Sequence, residues 1–328
     1  MRASMLFQWN EAHTPTRWLM AGLLGLLPIT AQAADPIRDT LQVHGFLSQA
    51  LVITDDNDFF GASSDHAGSL EYTELGLNAS FRPHHKVLVA AQLLSRRAGG
   101  DTSDAEPTLD YGVIDYQMVS NQSRTLGLQL GRFKNPFGLY NQTRDVAFTR
   151  PSILLPQSIY FDRTRALGLA ADGVNVYWEE HTAAGTLRFR SGLGRPQTGS
   201  DLTRQLFNGA ASDVSAAEPS AIAQLLFEDR SGQWVAALST ATVNLETSFG
   251  GQAADFDFQP WIASLQYNEE YWSLTAEYAL RQQALKGDNL PRTFDITGES
   301  WYVQYQRRFT PTWSGLVRFD RLINNTDD

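Results

Sequence analysis

The sequence predicts an all-β fold, a transmembrane antiparallel up-and-down β-barrel. Three observations predict it. Apolar and polar residues alternate with period two through thirteen segments, the connections between those segments alternate short and long, and aromatic residues recur beside the short connections.

The alternation is clearest in five places. In "LQVHGFLSQALVI", Leu41, Val43, Leu47, Leu51 and Ile53 share one face, while Gln42, His44 and Ser48 take the other. "ELGLNASFR" sets Leu75, Leu77, Ala79 and Phe81 against Glu74, Asn78, Ser80 and Arg82. "TLGLQLG", "WSLTAEYALR" and "ESWYVQYQRRF" repeat the pattern with Leu126–Leu128–Leu130, Trp272–Leu274–Ala276–Tyr278–Leu280 and Trp301–Val303–Tyr305. The thirteen segments are 41–53, 70–82, 86–97, 109–119, 125–134, 166–178, 186–194, 221–228, 233–243, 260–268, 272–281, 299–309 and 313–323. Most are about ten residues, the length a tilted strand needs to cross the hydrocarbon core.

The short connections are "RPHHK", "SNQSR", "EEHTAAG", "EDRSGQ", "NEEY" and "FTPTW"; the long ones cover 54–69, 98–108, 135–165, 195–220, 244–259 and 282–298. Short turns on one side and long loops on the other are the habit of a barrel in an outer membrane. A sandwich with Greek-key connections has no reason to alternate so. Trp234, Trp272 and Trp313 begin strands after short turns, and Phe81, Phe227, Tyr267 and Phe309 end strands before them. Amphipathic rings settle at the headgroup level, which makes this row an expected interfacial girdle.

Residues 1–33 read as a signal peptide. Arg17 precedes an apolar run, and Ala31 and Ala33 form an A-x-A site with cleavage expected after Ala33. The run is too short to span a bilayer as a helix. The remaining 34–328 form one barrel domain. The chain has no cysteine, so it carries no disulfide and no thiolate metal site. With 26 Lys+Arg against 36 Asp+Glu, its net charge of −10 argues against nucleic acid as a partner. Mean hydropathy of −0.29 suits a barrel whose polar inner face masks the apolar outer one.

Catalytic and metal signatures are weak. No G-x-S-x-G, H-E-x-x-H or phosphate-loop pattern occurs. His84, His85 and His181 sit in turns, and "TDDNDFFG" (Thr54–Gly61) misses the register of a calcium loop. No catalytic residue, metal or cofactor is expected. Parity places Arg82, Arg188, Arg190, Arg281, Arg308 and Arg318 in the lumen, with Glu74, Asp115, Glu277 and Asp320. A charged residue facing lipid at mid-depth costs about 2–4 kcal/mol for Arg, so parity and energetics agree.

One stretch departs from the chain's acidity. Gly131–Ala166 holds Arg132, Lys134, Arg144, Arg150, Arg163 and Arg165 against Asp145 and Asp162. Its connection, 135–165, also carries Phe137, Val146, Phe148, Ile153, Leu154, Leu155, Ile159, Tyr160 and Phe161. Such side chains need a surface, and the barrel wall is nearest. The loop is expected to fold inward, anchored by its apolar runs, with arginines facing the water path; rings of such groups select anions. The alternative is a loop over the barrel mouth or at a subunit contact, its arginines paired to Asp145 and Asp162. Arg188 and Arg190 join the expected pore lining.

"GRFKNPFGL" (Gly131–Leu139) at a strand end before a long loop resembles the phosphate-selective porin O and P family, of the trimeric porin superfamily, over Gly131–Asp172. The resemblance implies a sixteen-stranded, trimeric barrel that passes anions, with Arg132 and Lys134 lining the pore. A lysine-rich ladder also serves phosphate selectivity in that family, whereas this chain has Lys86, Lys134 and Lys286 alone. Thirteen readable strands are odd, so the porin-type domain is expected to be C-terminally truncated. The expected function is passive diffusion of small hydrophilic solutes, leaning to anions such as phosphate, through a Gram-negative outer membrane. The expected partners are the bilayer, lipopolysaccharide and small anionic or hydrophilic solutes, with a homotrimer implied by the resemblance. A surface receptor or adhesin that binds through its long loops is the alternative, and a soluble periplasmic carbohydrate binder a third reading.

Overall fold

The computed structural model describes residues 4–9, 40–98, 105–162, 164–198, 202–203, 209–288, 290 and 292–327. Its strands in chain order are β1 (Ser4–Trp9), β2 (Gln42–Val52), β3 (Ser69–His84), β4 (Val87–Ala98), β5 (Thr108–Ser120), β6 (Arg124–Lys134), β7 (Ala170–His181), β8 (Gly185–Pro196), β9 (Ser212–Ala216), β10 (Ser220–Asp229), β11 (Trp234–Phe249), β12 (Gln252–Asn268), β13 (Trp272–Lys286), β14 (Phe294–Arg308) and β15 (Trp313–Ile323). All thirteen expected segments contain strands, but the first residues of 166–178 lie in a short helix, Arg165–Leu169, and the strand there begins only at Ala170. β1 and the short β9 are additional to them.

The strands lie in one antiparallel up-and-down sheet, with nearly every strand beside its sequence neighbour. β9 leaves the path to strap the upper end of β11, and β8 pairs with β10 directly. β1 pairs along β15, from Ser4↔Arg318 to Trp9↔Trp313, so β-prone residues of the expected leader cover an open edge. The expected cleavage point after Ala33 lies outside the described residues. Among the described residues no ladder joins β1 to β2.

The wall has the polarity of a membrane barrel. Leu47 is 73% exposed and Leu193 57% exposed on the outer face, while Glu74, Gln92, Asn175 and Gln304 are each 1% exposed on the inner face. A water-soluble protein would place these the other way round. At the short-turn rim, rings stack across strands. Trp234 lies 4.6 Å from Tyr267, Tyr267 5.4 Å from Trp272, and Trp272 6.0 Å from Tyr305, forming the expected girdle.

The opposite rim corrects part of the loop reading. Residues 244–259 are almost entirely strand: β11 and β12 run on together, Phe249 faces Gln252, and Gly250–Gly251 make the turn. β13 likewise extends to Lys286 and β14 begins at Phe294. The faces explain why the extension escapes a search for outward apolar residues. Along β11 the outer face changes from Leu238 to exposed Asn244 and Glu246, while the inner face changes from Ser239 to buried Val243 and Leu245. Above the rim water lies outside, so apolar side chains turn inward. Val243, Leu245, Ala254, Phe256 and Leu285 pack there with Leu167, Leu202 and Val214.

Candidate functional site

The 135–165 loop folds into the lumen. Its neck is clasped by amide hydrogen bonds. Asn135 N donates to Leu169 O (3.0 Å), and Asn141 Nδ2 donates to Asn135 O and Gly168 O, both at 2.9 Å. Two glycines of the Gly131–Leu139 motif make the entry feasible. Gly131 has φ +117°, where an added Cβ would collide with Gly112 O. Gly138 has φ +59°, and its Cβ would collide with the Tyr160 hydroxyl.

From the neck the loop crosses to the far wall. Gly138 N donates to Ser239 Oγ (3.1 Å), and Gln224 Nε2 donates to Gly138 O (2.8 Å). Tyr140, Leu155, Ile159 and Tyr160 pack on Ile262, Ala279 and Tyr302. Glu277, 2% exposed, lies at the centre of this contact. It accepts from Leu139 N (2.9 Å), Tyr160 OH (2.7 Å), Tyr302 OH (2.7 Å) and Ser264 Oγ (2.6 Å). Arg318 Nη1 donates to Leu154 O (2.9 Å), and Tyr72 OH on β3 donates to Ile153 O (3.3 Å). Hydrogen bonds from β3 round to β15 therefore converge on one loop.

The loop's cations enter a second network on the β3–β5 side. Arg150 Nη1 donates to Glu74 Oε1 (3.0 Å), and its Nη2 to Glu74 Oε2. Arg96 bridges Glu74 (3.1 Å) and Asp162 (3.0 Å), and Arg144 Nη2 donates to Asp162 Oδ1 (3.1 Å). Lys134 pairs with Asp110 and Asp145, and Arg165 pairs with Asp145. Asp110 turns inward because a bulge interrupts the β4–β5 ladder between Gln92 and Leu93. Burial alone would raise the Asp145 carboxyl; the charges of Arg165, Lys134 and Arg144 prevail and hold it well below the usual carboxylate range. Asp162 is lowered in the same way, with Arg96 and Arg144 overcoming burial. Burial, helped by Arg165, lowers the Arg144 guanidinium.

The sequence-predicted residues thus divide. Lys134, Arg144, Arg150 and Arg165 meet in the loop, but they hold carboxylates instead of facing open water. Arg132 shares the outward parity of Leu130, and its Nε donates to Asp172 Oδ1 (2.8 Å) on the outer wall, so it does not extend the inner row. Arg163 lies outside the described residues. Arg188 is in the lumen between Glu179 (2.8 Å) and Glu228 (2.7 Å). Arg190, two residues on along the same face, has no ion pair among the described residues. Its neighbours are polar: Asp115 accepts from Tyr177 OH (2.8 Å) and from Gln129 Nε2 (2.9 Å). Sequence reasoning missed Arg96, Asp110 and Tyr302 as partners. It had Glu74 and Glu277 at lumen positions, and a mid-strand carboxylate hidden from water requires donors; that was the available signal.

No protein-family model matches the sequence, and no curated protein matches it. Among solved structures the chain is similar to the anion-selective porin from Comamonas acidovorans, at 17% identity over 86% of this chain and 79% of that one, with a TM-score of 0.50. A loop-deletion form of the outer membrane protein OmpT of Vibrio cholerae aligns at 10% identity over 86% and 100%, TM-score 0.42. The outer membrane channel DcaP of Acinetobacter baumannii aligns at 9% identity over 88% and 100%, TM-score 0.43. The first of these likenesses shows a porin-type barrel fold.

Proposed function

We propose that the protein is an outer-membrane porin of a Gram-negative bacterium, through which small hydrophilic solutes diffuse passively with a preference for anions. The observation that carries this reading is the loop pinned across a polar lumen inside an apolar outer wall. Such a loop narrows a polar lumen, as passive sieving requires. It is a conduit and not an enzyme.

The preference for anions has a charge argument. In the loop network five cations (Arg96, Lys134, Arg144, Arg150, Arg165) face four carboxylates (Glu74, Asp110, Asp145, Asp162), a surplus of one positive charge among the described residues. Below the loop Arg190 lies in the field of Asp115, so the two together add no net charge. In a narrow, low-dielectric bore a small surplus sets the local potential. The anion-selective porin among the similar structures supports the same direction. Phosphate as the particular solute, and a homotrimer, rest on the resemblance of Gly131–Leu139 to the phosphate-selective porins. Reversal potentials in planar bilayers under a KCl gradient test the reading: chloride preference is expected, and a cation preference overturns it.

A receptor barrel that binds partners through its loops is the second reading. The dense seat of Tyr140, Tyr160 and Glu277 on the far wall favours it, and bilayers that show no ion current would support it over the channel.

A further inference from the structure

Between the inserted loop and the upper walls of β10–β13 lies a cavity of about 300 Å³. That is the small end of the roughly 300–1,000 Å³ range of ligand sites. Its walls are largely apolar, with Phe161, Phe256, Phe258, Ile222 and Val243 among them. Three arginines reach it, and two are already committed, Arg144 to Asp162 and Arg165 to Asp145. The third, Arg281, is 6% exposed and has no carboxylate partner among the described residues. Its Nη2 donates to Ile323 O (2.8 Å), its guanidinium carbon lies 5.4 Å from the Phe161 ring centroid, and its Nε has no partner among the described residues.

Three more side-chain atoms of residues in the cavity wall lack partners among the described residues: Ser158 Oγ, Ser220 Oγ and Asn135 Oδ1. All four atoms are enclosed by their neighbours; three of them, Arg281 Nε and the two hydroxyls, can donate, and a head group rich in acceptors would engage them where the wall gives way. A buried guanidinium without a counter-ion is unfavourable until an anion reaches it. One uncommitted cation balances one negative charge, and the aromatic walls suit an apolar body. A phosphate dianion would match neither the charge nor the walls.

We infer that this chamber is a binding site for a small amphipathic monocarboxylate, with the carboxylate on Arg281 and the apolar body against Phe256 and Phe258. The chamber stands on its own geometry; only the route by which a solute reaches it rests on the channel reading.

The probes are sodium benzoate, sodium acetate and inorganic phosphate, applied to the full chain in planar bilayers. Benzoate is expected to block KCl current saturably, with acetate and phosphate weaker by at least about tenfold. R281Q is expected to weaken the benzoate block about tenfold, and F258L to weaken benzoate but not acetate. Heat-modifiable gel migration establishes which variants fold, and F258L decides the matter if R281Q does not. Benzoate acting no better than acetate, or block unchanged in the folded variants, overturns the site and leaves the channel reading intact. If no KCl current is seen, the channel reading fails by itself, and titration calorimetry of benzoate into the micellar protein decides the site: binding lost in R281Q or F258L supports it, and no binding overturns it.

Discussion

Arg150 in the inserted loop and Glu74 on β3, 76 residues apart in sequence, form a two-pronged ion pair, with Nη1 donating to Oε1 at 3.0 Å and Nη2 to Oε2. Both side chains are almost fully buried, at 5% and 1% exposure. A buried pair of this kind adds little net stability over an apolar pair of equal size, but losing one partner leaves a bare charge. Its effect is to fix where the loop lies.

Glu74→Gln is therefore expected to destabilise the barrel by about 3–5 kcal/mol, since Arg150 and Arg96 both lose their shared carboxylate. The gel transition from folded to unfolded band should move to lower temperature, and single-channel conductance should rise and become noisy as the loop leaves its seat. An unchanged transition and unchanged conductance would show that the pair does not hold the loop.

The acid side of the pH profile follows from Asp145 and Asp162. Both carboxyls are buried and held below the ordinary value, near 3.9 for aspartate, by surrounding Arg and Lys. A lowered folded value means that the stabilisation is complete above the unfolded value and is lost as the pH falls through the folded one. The share of the loop-dependent conductance that these two carboxylates hold should change only below about pH 4. An acid transition left unchanged by Asp162→Asn would contradict this assignment.

Gly138→Ala tests the loop's entry. The residue has φ +59°, and a Cβ would collide with Tyr160 Oη and stand 2.9 Å from Glu277 Oε1. The left-handed backbone alone costs about 1–2 kcal/mol for alanine, and the contact adds to it. Limited proteolysis should cut the 135–165 segment faster in the variant, while the strands keep their β signature in circular dichroism. Equal cleavage in both proteins would refute the seating described.

Arg132 and Arg190 make a paired comparison. Arg132 lies on the outer wall with Asp172, and Arg190 lies in the lumen without an ion pair among the described residues. Arg190→Glu should shift the reversal potential toward cations, while Arg132→Ala should leave it where it was. The opposite outcome would reverse the inner and outer faces of these strands.

Much of the wall was legible because alternation is a local signal. Leu75, Leu77 and their polar neighbours declare a face within a few residues, so every expected strand was found. The upper rim was less legible, because parity rules fail where the solvent changes. On β11 the apolar face passes from Leu238 outside to Leu245 inside, and the strand continues through a stretch expected to be loop. Asn244 keeps the outward parity of Leu238 but meets water instead of lipid. The bulge that turns Asp110 inward is another local break that composition does not announce.

What the sequence determined by itself is the wall: strand periodicity, the aromatic rim, the polar lumen, and the presence of a long loop that is both basic and apolar. Each depends on residues close together along the chain. Only the tertiary structure decided what that loop does. It sets Arg150 on Glu74 and Tyr160 on Glu277, the latter 117 residues away, and so turns the loop's arginines from free charges into clasps. The reason is physical. A cation drawn into a low-dielectric interior must find an anion, and which one it finds depends on how the sheet curls, which no local pattern encodes.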